Sequence, residues 1–300
     1  MIPRTAALLL ALAACAPGAP RPVASALEPE VRAIIQRAAG DTAEVSVAFR
    51  DLQTGDSLLI DAGKTMHAAS TMKVPVMLEL FRRADAGELR MDETVTVRNQ
   101  FRSIADGSAY SLTSSDDGDT TLYSRVGQSV PLRELVERMI TRSSNLATNL
   151  LIDRADPARI ATTLAGLGAG DMRVLRGVED GPAFRAGMNN ATTARALLRV
   201  MEAIAAGRAA SPRATEEMLA VLGRQEFREM IPAGLPAGVR SANKTGNITR
   251  IAHDAAIVFP EGRRPYVLVV LTRGFVDADV AAATGRDISA AVYRHAASRR

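Results

Sequence analysis

His67-Ala68-Ala69-Ser70-Thr71-Met72-Lys73 opens a run of helical apolar spacing that continues through Met77, Leu78 and Phe81 and closes at Gly87. A lysine three residues after a serine on a helix lies on the same face, about one turn away. A serine hydroxyl is a poor nucleophile until a base takes its proton, and Lys73 stands where such a base is needed. The lysine is a pointed choice, because the chain has 34 arginines and only three lysines. Arginine keeps its charge at any accessible pH, whereas a lysine in a tight site can give up its proton. A second of the three lysines lies in Lys244-Thr245-Gly246, and Ser143-Ser144-Asn145 falls between the two motifs.

Outward from Ser70, the chain reads as α+β. Val31, Ile34, Ile35 and Ala38 recur at helical spacing up to Gly40. Val45, Val47 and Phe49 alternate as a strand, Gln53-Thr54-Gly55-Asp56 supplies a turn, and Leu58 to Ile60 returns. Helical patterns then fill the middle, near 131–139, 146–152, 157–167, 193–206 and 214–222. Strands are expected at 238–244, 251–259 and 266–272, and a closing helix at 276–293. Strands at both ends and helices between them predict one antiparallel sheet built from the two termini, with an all-helical lobe inserted. The sheet lobe is expected from 27–68 and 223–300, and the helical lobe from 69–222. The polar stretch from Phe101 to Ser129 interrupts the periodicity, and a loop of that length inside a compact domain is usually functional or disordered.

With 300 residues, 47% hydrophobic and 23% charged, the chain is long enough to bury a substantial core. Its formal charge of +4 comes from scattered arginines without a basic run or interleaved aromatics, which argues against nucleic acid as a partner. Arg4 followed by the apolar stretch Ala6 to Leu12 reads as an export signal, too short to span a bilayer. It ends in Leu12-Ala13-Ala14-Cys15, similar to a lipobox whose cysteine is lipidated. Residues 1–15 are therefore expected to be a lipoprotein-type signal and 16–26 a Pro/Ala tether, giving an exported, membrane-anchored or periplasmic monomer. Cys15 is the only cysteine, so the fold must stand without an internal disulfide.

The three motifs define a proton circuit. Ser143 extends a path from Lys73 to a leaving nitrogen, Asn145 holds a substrate amide, and Lys244 either depresses the Lys73 pKa or binds a substrate carboxylate. The backbone N–H groups of Ser70 and Asn247 are the expected oxyanion donors, with Gly246 kept small beside the acyl group. His253-Asp254 invites a Ser-His-Asp reading. A structural role is expected instead, since neighbours on a strand point to opposite faces and no Gly-x-Ser-x-Gly elbow exists. His67 reads as packing. Asp116, Asp117 and Asp119 read as a solvated turn, and no metal-ligand spacing or cofactor motif is present in the sequence.

Together, Ser70-x-x-Lys73, Ser143-x-Asn145, Lys244-Thr245-Gly246, their order and the export signal resemble class A serine β-lactamases and their penicillin-binding relatives. The resemblance runs from about Leu27 to Ala297. It implies a five-stranded antiparallel sheet flanked by helices beside an all-helical lobe, with the site between them. It also implies an acyl-enzyme on Ser70, and a β-lactam or peptidoglycan-like substrate held by Asn145, Lys244, Thr245, Gly246 and Asn247. Arg250 and Arg273 become candidate carboxylate anchors, and Tyr110 or Tyr123 a candidate gate over the substrate. Two departures stand out. Ser144 replaces the aspartate usual in the middle motif, so a buried carboxylate is missing. The Glu-Pro-x-x-Asn loop is also absent, and Arg176-Gly177-Val178-Glu179-Asp180-Gly181 stands in its place. There Glu179 is the implied water-activating base, with Asp180 the runner-up. A peptidase or esterase of the same fold, or a sensor acylated once, remains the alternative.

Overall fold

The computed structural model describes residues 21–22 and 26–299. The signal segment with Cys15 and most of the expected tether lie outside the described residues. Five antiparallel strands form the sheet: β1 (Glu44–Asp51), β2 (Asp56–Ile60), β3 (Arg240–Ile248), β4 (Ile251–Phe259) and β5 (Tyr266–Arg273). Their order across the sheet is β2-β1-β5-β4-β3, and Arg21–Pro22 adds a two-residue parallel strand beside β2. The N-terminal hairpin and the C-terminal meander thus meet at β5–β1, with Leu271 opposite Ser46. The β1–β2 turn forms because Asp51 Oδ1 accepts from the N–H groups of Gln53 and Thr54, and Gly55 takes a φ of +79°.

Side-chain alternation divides the core into two layers. Ala256, Val258, Leu268 and Val270 face α1 (Leu27–Ala39) and the C-terminal helix, whereas Ala255, Ile257, Val267 and Val269 face the helices from the middle of the chain. Those helices are α2 (Lys73–Asp85), α3 (Leu132–Thr141), α4 (Asn145–Ala155), α5 (Pro157–Gly166), α6 (Gly181–Arg185), α7 (Ala194–Ala205) and α8 (Pro212–Gly223), and the closing helix is α9 (Ala278–Ala297). Thr193, Ser211 and Asp277 cap α7, α8 and α9 with side-chain oxygens, which is why each starts where it does.

Two expectations shift. β3 runs on through Lys244-Thr245-Gly246-Asn247 rather than ending at Lys244, so this motif lies on the edge strand of the sheet. The stretch 101–129 is not one loop. It is broken into a small hairpin (Phe101–Arg102 with Ala109–Tyr110), two 3₁₀ turns (Ser114–Asp116 and Thr120–Arg125) and a strand over 129–131 that pairs with Thr94–Thr96.

Candidate active site

Ser70 sits in the 3₁₀ turn Ala69–Met72 that leads into α2. The turn is anchored from behind. Thr71 Oγ1 donates to Ala68 O at 2.6 Å, and His67 Nδ1 accepts from the Ala69 N–H at 3.0 Å. His253, fully buried on β4, accepts from the Thr272 N–H through Nδ1 and donates from Nε2 to His67 O at 2.9 Å. Burial pushes its imidazole down to about 4, so it stays neutral and serves as a strut under the nucleophile turn. Asp254 points elsewhere, to Asn243 and the Ile231 N–H, and burial pushes it up to about 6. The dyad reading is thereby dismissed, and His67 does more than pack.

Lys73 is buried and donates to Ser143 O (2.6 Å), Ser143 Oγ (3.2 Å) and Asn145 Oδ1 (2.8 Å). Lys244, also buried, donates to the same Ser143 hydroxyl at 3.1 Å and to Thr245 O at 2.9 Å. Burial lowers Lys73 to about 7, against the opposing pull of Asp117 and Glu179. Burial and the charge of Lys73 hold Lys244 well below the ordinary lysine value. Ser143 lies in the turn between α3 and α4 at φ +57°, which aims both its carbonyl and its hydroxyl at Lys73. Of six non-glycine residues at positive φ among the described residues, three, Ala69, Ser143 and Glu179, are in this site. Such backbone costs about 1–3 kcal/mol per residue and persists only where the surroundings enforce it.

The Asp-Asp-Gly-Asp stretch is not a solvated turn. Asp117 and Asp119 are buried. Asp119 pairs with Arg138 of α3 at 2.7 Å. Asp117 accepts from the N–H groups of Asn145 (2.9 Å) and Leu146 (2.8 Å), the first residues of α4, and from the Tyr123 hydroxyl (3.0 Å). The Asn145 side-chain amide donates to Asp116 O at 3.3 Å. A Cβ on Gly118 would stand 2.2 Å from Arg142 O, so only glycine lets this stretch lie against the Ser143 turn. Ser144, where an aspartate was expected, caps α4 itself by accepting from the Ala147 N–H.

Residues 175–190 close the site from below. Arg176 ties the segment's neck, donating to Met188 O and Asn189 Oδ1, and Asn190 Oδ1 accepts from the N–H groups of Leu175 and Arg176. Asn149 of α4 accepts from the Val178 N–H at 2.7 Å and donates to Val178 O at 3.0 Å, a clamp the sequence did not single out. Gly177 makes room for it, since a Cβ there would meet Asn149 Oδ1 at 2.5 Å. Asp180 also borders the cleft, but it is buried, caps α6 through the Ala183 N–H and accepts from the Ile104 N–H. Glu179 is exposed and turned into the cleft.

The cleft holds a cavity of about 400 Å³ lined by Ser70, Asn145, Glu179 and Asn247, among others. Gly246 stands over the nucleophile, where a Cβ would lie 2.9 Å from Ser70 N. Four expected participants are elsewhere. Arg273 pairs with Glu44, and Arg250 donates to Gly274 O, so neither lines this cavity, whereas Arg176 and Arg185 do. Tyr110 lines a separate cavity of about 490 Å³ together with Gly177, and the Tyr123 hydroxyl donates to Asp117, so neither tyrosine lines the cavity around Ser70.

In this arrangement the serine turn lies at the edge of the sheet, and two buried lysines next to it share the Ser143 hydroxyl, an assembly suited to a serine hydrolase. The profile of the β-lactamase enzyme family matches residues 26–296, and the chain belongs to that family. It is 30% identical to a β-lactamase of Streptomyces albus G over 145 residues, a stretch covering 47% of this chain and 46% of that protein's length. Among solved structures, a β-lactamase from Sphaerobacter thermophilus superposes with a TM-score of 0.77 at 25% identity, covering 90% of this chain and 97% of the other. A mutant of PBP-A in its acyl-enzyme complex with penicillin G superposes with a TM-score of 0.76 at 26% identity, covering 92% and 97%.

Proposed function

We propose that this chain is a serine β-lactamase working through an acyl-enzyme on Ser70. Neutral Lys73 takes the proton from Ser70 Oγ, which attacks the lactam carbonyl while the N–H groups of Ser70 and Asn247 receive the oxyanion. The C–N bond breaks, and the ring nitrogen takes a proton from Ser143 Oγ, which is refilled from Lys73. Lys244 and Thr245 hold the substrate carboxylate, and Asn145 the side-chain amide. Glu179 then activates a water that adds to the ester and frees Ser70, so the net change is addition of one water. The observation that carries this reading is the Ser143 hydroxyl held between Lys73 and Lys244.

The signal-like residues ahead of Cys15 support export, with a lipid anchor at that cysteine, to the compartment where such substrates are met. A second reading, an acyl-enzyme that is not turned over, is favoured by the likeness to PBP-A and by the altered segment around Glu179. Turnover of a chromogenic cephalosporin supports the hydrolase. Stable labelling by a fluorescent penicillin without turnover supports the second reading, and failure of both assays sinks the two together.

A further inference from the structure

Ser144 stands where the resembled middle motif has an aspartate, and a carboxylate reaches the same helix end from Asp117, 27 residues upstream. Asp117 reaches the N-terminus of α4 from the segment between two short 3₁₀ turns, and its two oxygens accept four hydrogen bonds, from Asn145 N, Leu146 N, Asp119 N and Tyr123 OH. The first two are helix-end donors with no partner inside the helix, and the carboxylate satisfies both. Asp116 O fixes the Asn145 amide, so the side-chain oxygen is the atom left to face Lys73, at 2.8 Å. The neighbours complete the fit, with Gly118 against Arg142 O and Asp119 on Arg138.

We infer that Asp117 is the positioning residue of this site: a carboxylate supplied by the 101–129 insertion, which seats Asn145 against Lys73 and acts on Lys73 through that contact. The groups facing Lys73 are few. Asp117 comes from the insertion, Glu179 from the segment below, and Lys244 from β3, while Ser143 and Asn145 are neutral. Asp117 acts to raise the Lys73 pKa, so its loss lowers it further. The effect on Lys73 rests on the hydrogen bonds that run from Asp117 through Asn145 to Lys73, together with the charge of the carboxylate. The effect on rate rests on the acyl-enzyme reading.

With only three lysines in the chain, ¹³C-lysine NMR titration resolves Lys73 in the folded protein without any substrate. In Asp117→Asn the Lys73 midpoint is expected to fall below that of wild type. In Ser144→Asp, which adds a carboxylate at the same helix end, it is expected to rise. In the double variant it returns toward wild type. Ser144→Ala, which removes the other cap of α4 but no charge, lowers the melting temperature and leaves the midpoint in place. Acylation by fluorescent penicillin at pH 7 is expected to drop about 10- to 10²-fold in Asp117→Asn, the scale of a small misplacement of a reacting group. An unmoved Lys73 midpoint in Asp117→Asn overturns the inference, as does a double variant that matches Asp117→Asn. Should Asp117→Asn fail to fold, the double variant decides: a folded protein with a wild-type midpoint upholds the replacement, and a displaced midpoint rejects it. If wild type is not labelled at all, the proposed function fails while the NMR result still decides the role of Asp117.

Discussion

Lys73 and Lys244 both donate to one oxygen, the hydroxyl of Ser143, at 3.2 and 3.1 Å. Two buried ammonium groups that close repel each other, and each loses hydration, so the pair favours a state with fewer than two protons. On the proposed reading, a neutral Lys73 is the base within the helix turn of Ser70, and Ser143 is the relay to the leaving nitrogen. Substrate carboxylate arriving at Lys244 would restore that lysine's charge and press Lys73 further toward neutrality.

Replacing Lys73 by Arg keeps the charge and removes the base, because a guanidinium does not give up its proton. Labelling of Ser70 by penicillin is expected to slow by at least about 10²-fold, the lower end of what a positioned base contributes. Stopped-flow labelling at the wild-type rate would remove Lys73 from the mechanism.

The depressed lysines also set a sign for stability. Folded Lys73 titrates near 7 and its ordinary value is 10.5, so between these the unfolded chain binds a proton that the folded chain does not. Stability from this group therefore rises with pH from about 7 to 10.5 and is flat below that window. Lys244, shifted the same way, adds to the slope. Urea midpoints at pH 7.5 and 9.5 are expected to differ by less in Lys73→Met than in wild type. Equal differences in the two proteins would contradict the pKa shift.

Gly246 is fixed by close approach rather than by backbone torsion. A Cβ there would stand 2.9 Å from Ser70 N and 3.0 Å from Thr71 N, both backbone atoms that cannot swing aside. Gly246→Ala is expected to cost about 1–3 kcal/mol, the usual range for overpacking, and to slow acylation by displacing the Ser70 N–H. Thermal melts and labelling rates measure the two effects separately, and a variant unchanged in both rules out the tight contact.

Motif spacing and periodicity sufficed to read the sheet from two termini, the inserted helices, and the meeting of Ser70, Lys73, Ser143 and Lys244. These are local signals, in which chemistry and helix phase are written in the same few residues. What escaped depends on contacts distant in sequence. Asp117 reads as a turn residue because its partners, the N–H groups of Asn145 and Leu146, lie 28 and 29 residues away. Asn149 reads as one polar residue in an apolar helix until Val178 closes on it. Arg250 and Arg273 failed as anchors because strand phase does not reveal that Glu44 and Gly274 O already hold them. Asp119 does carry a legible cue, an acid directly after Gly118 and ahead of an arginine-bearing helix, though nothing in it says which arginine.

Glu179 and Asp180 are adjacent carboxylates on one cavity, the first exposed and the second buried, and on the proposed reading that difference selects Glu179 as the base. Asp180 is buried, each of its oxygens holding one N–H, of Ala183 and of Ile104. Glu179, at φ +59°, is turned out of the segment into the cavity that holds Ser70, and its charge is felt by Lys73. The Asn149 clamp on Val178, with Gly177 giving it room, fixes the backbone one residue before it. An acylated Ser70 has no base of its own for hydrolysis, and a positioned carboxylate contributes about 10²- to 10⁴-fold to activating a water. Glu179→Gln is therefore expected to label at the wild-type rate and then stall, with a persistent Ser70 adduct by mass spectrometry and steady-state turnover reduced by about that factor. Asp180→Asn is expected to lower the melting temperature while turnover per folded molecule stays close to wild type. If the Glu179 variant turns over normally and the Asp180 variant accumulates adduct, the two assignments exchange. If neither accumulates adduct while wild type hydrolyses, the water is activated from elsewhere, and Lys73, once neutral again after acylation, becomes the base to test.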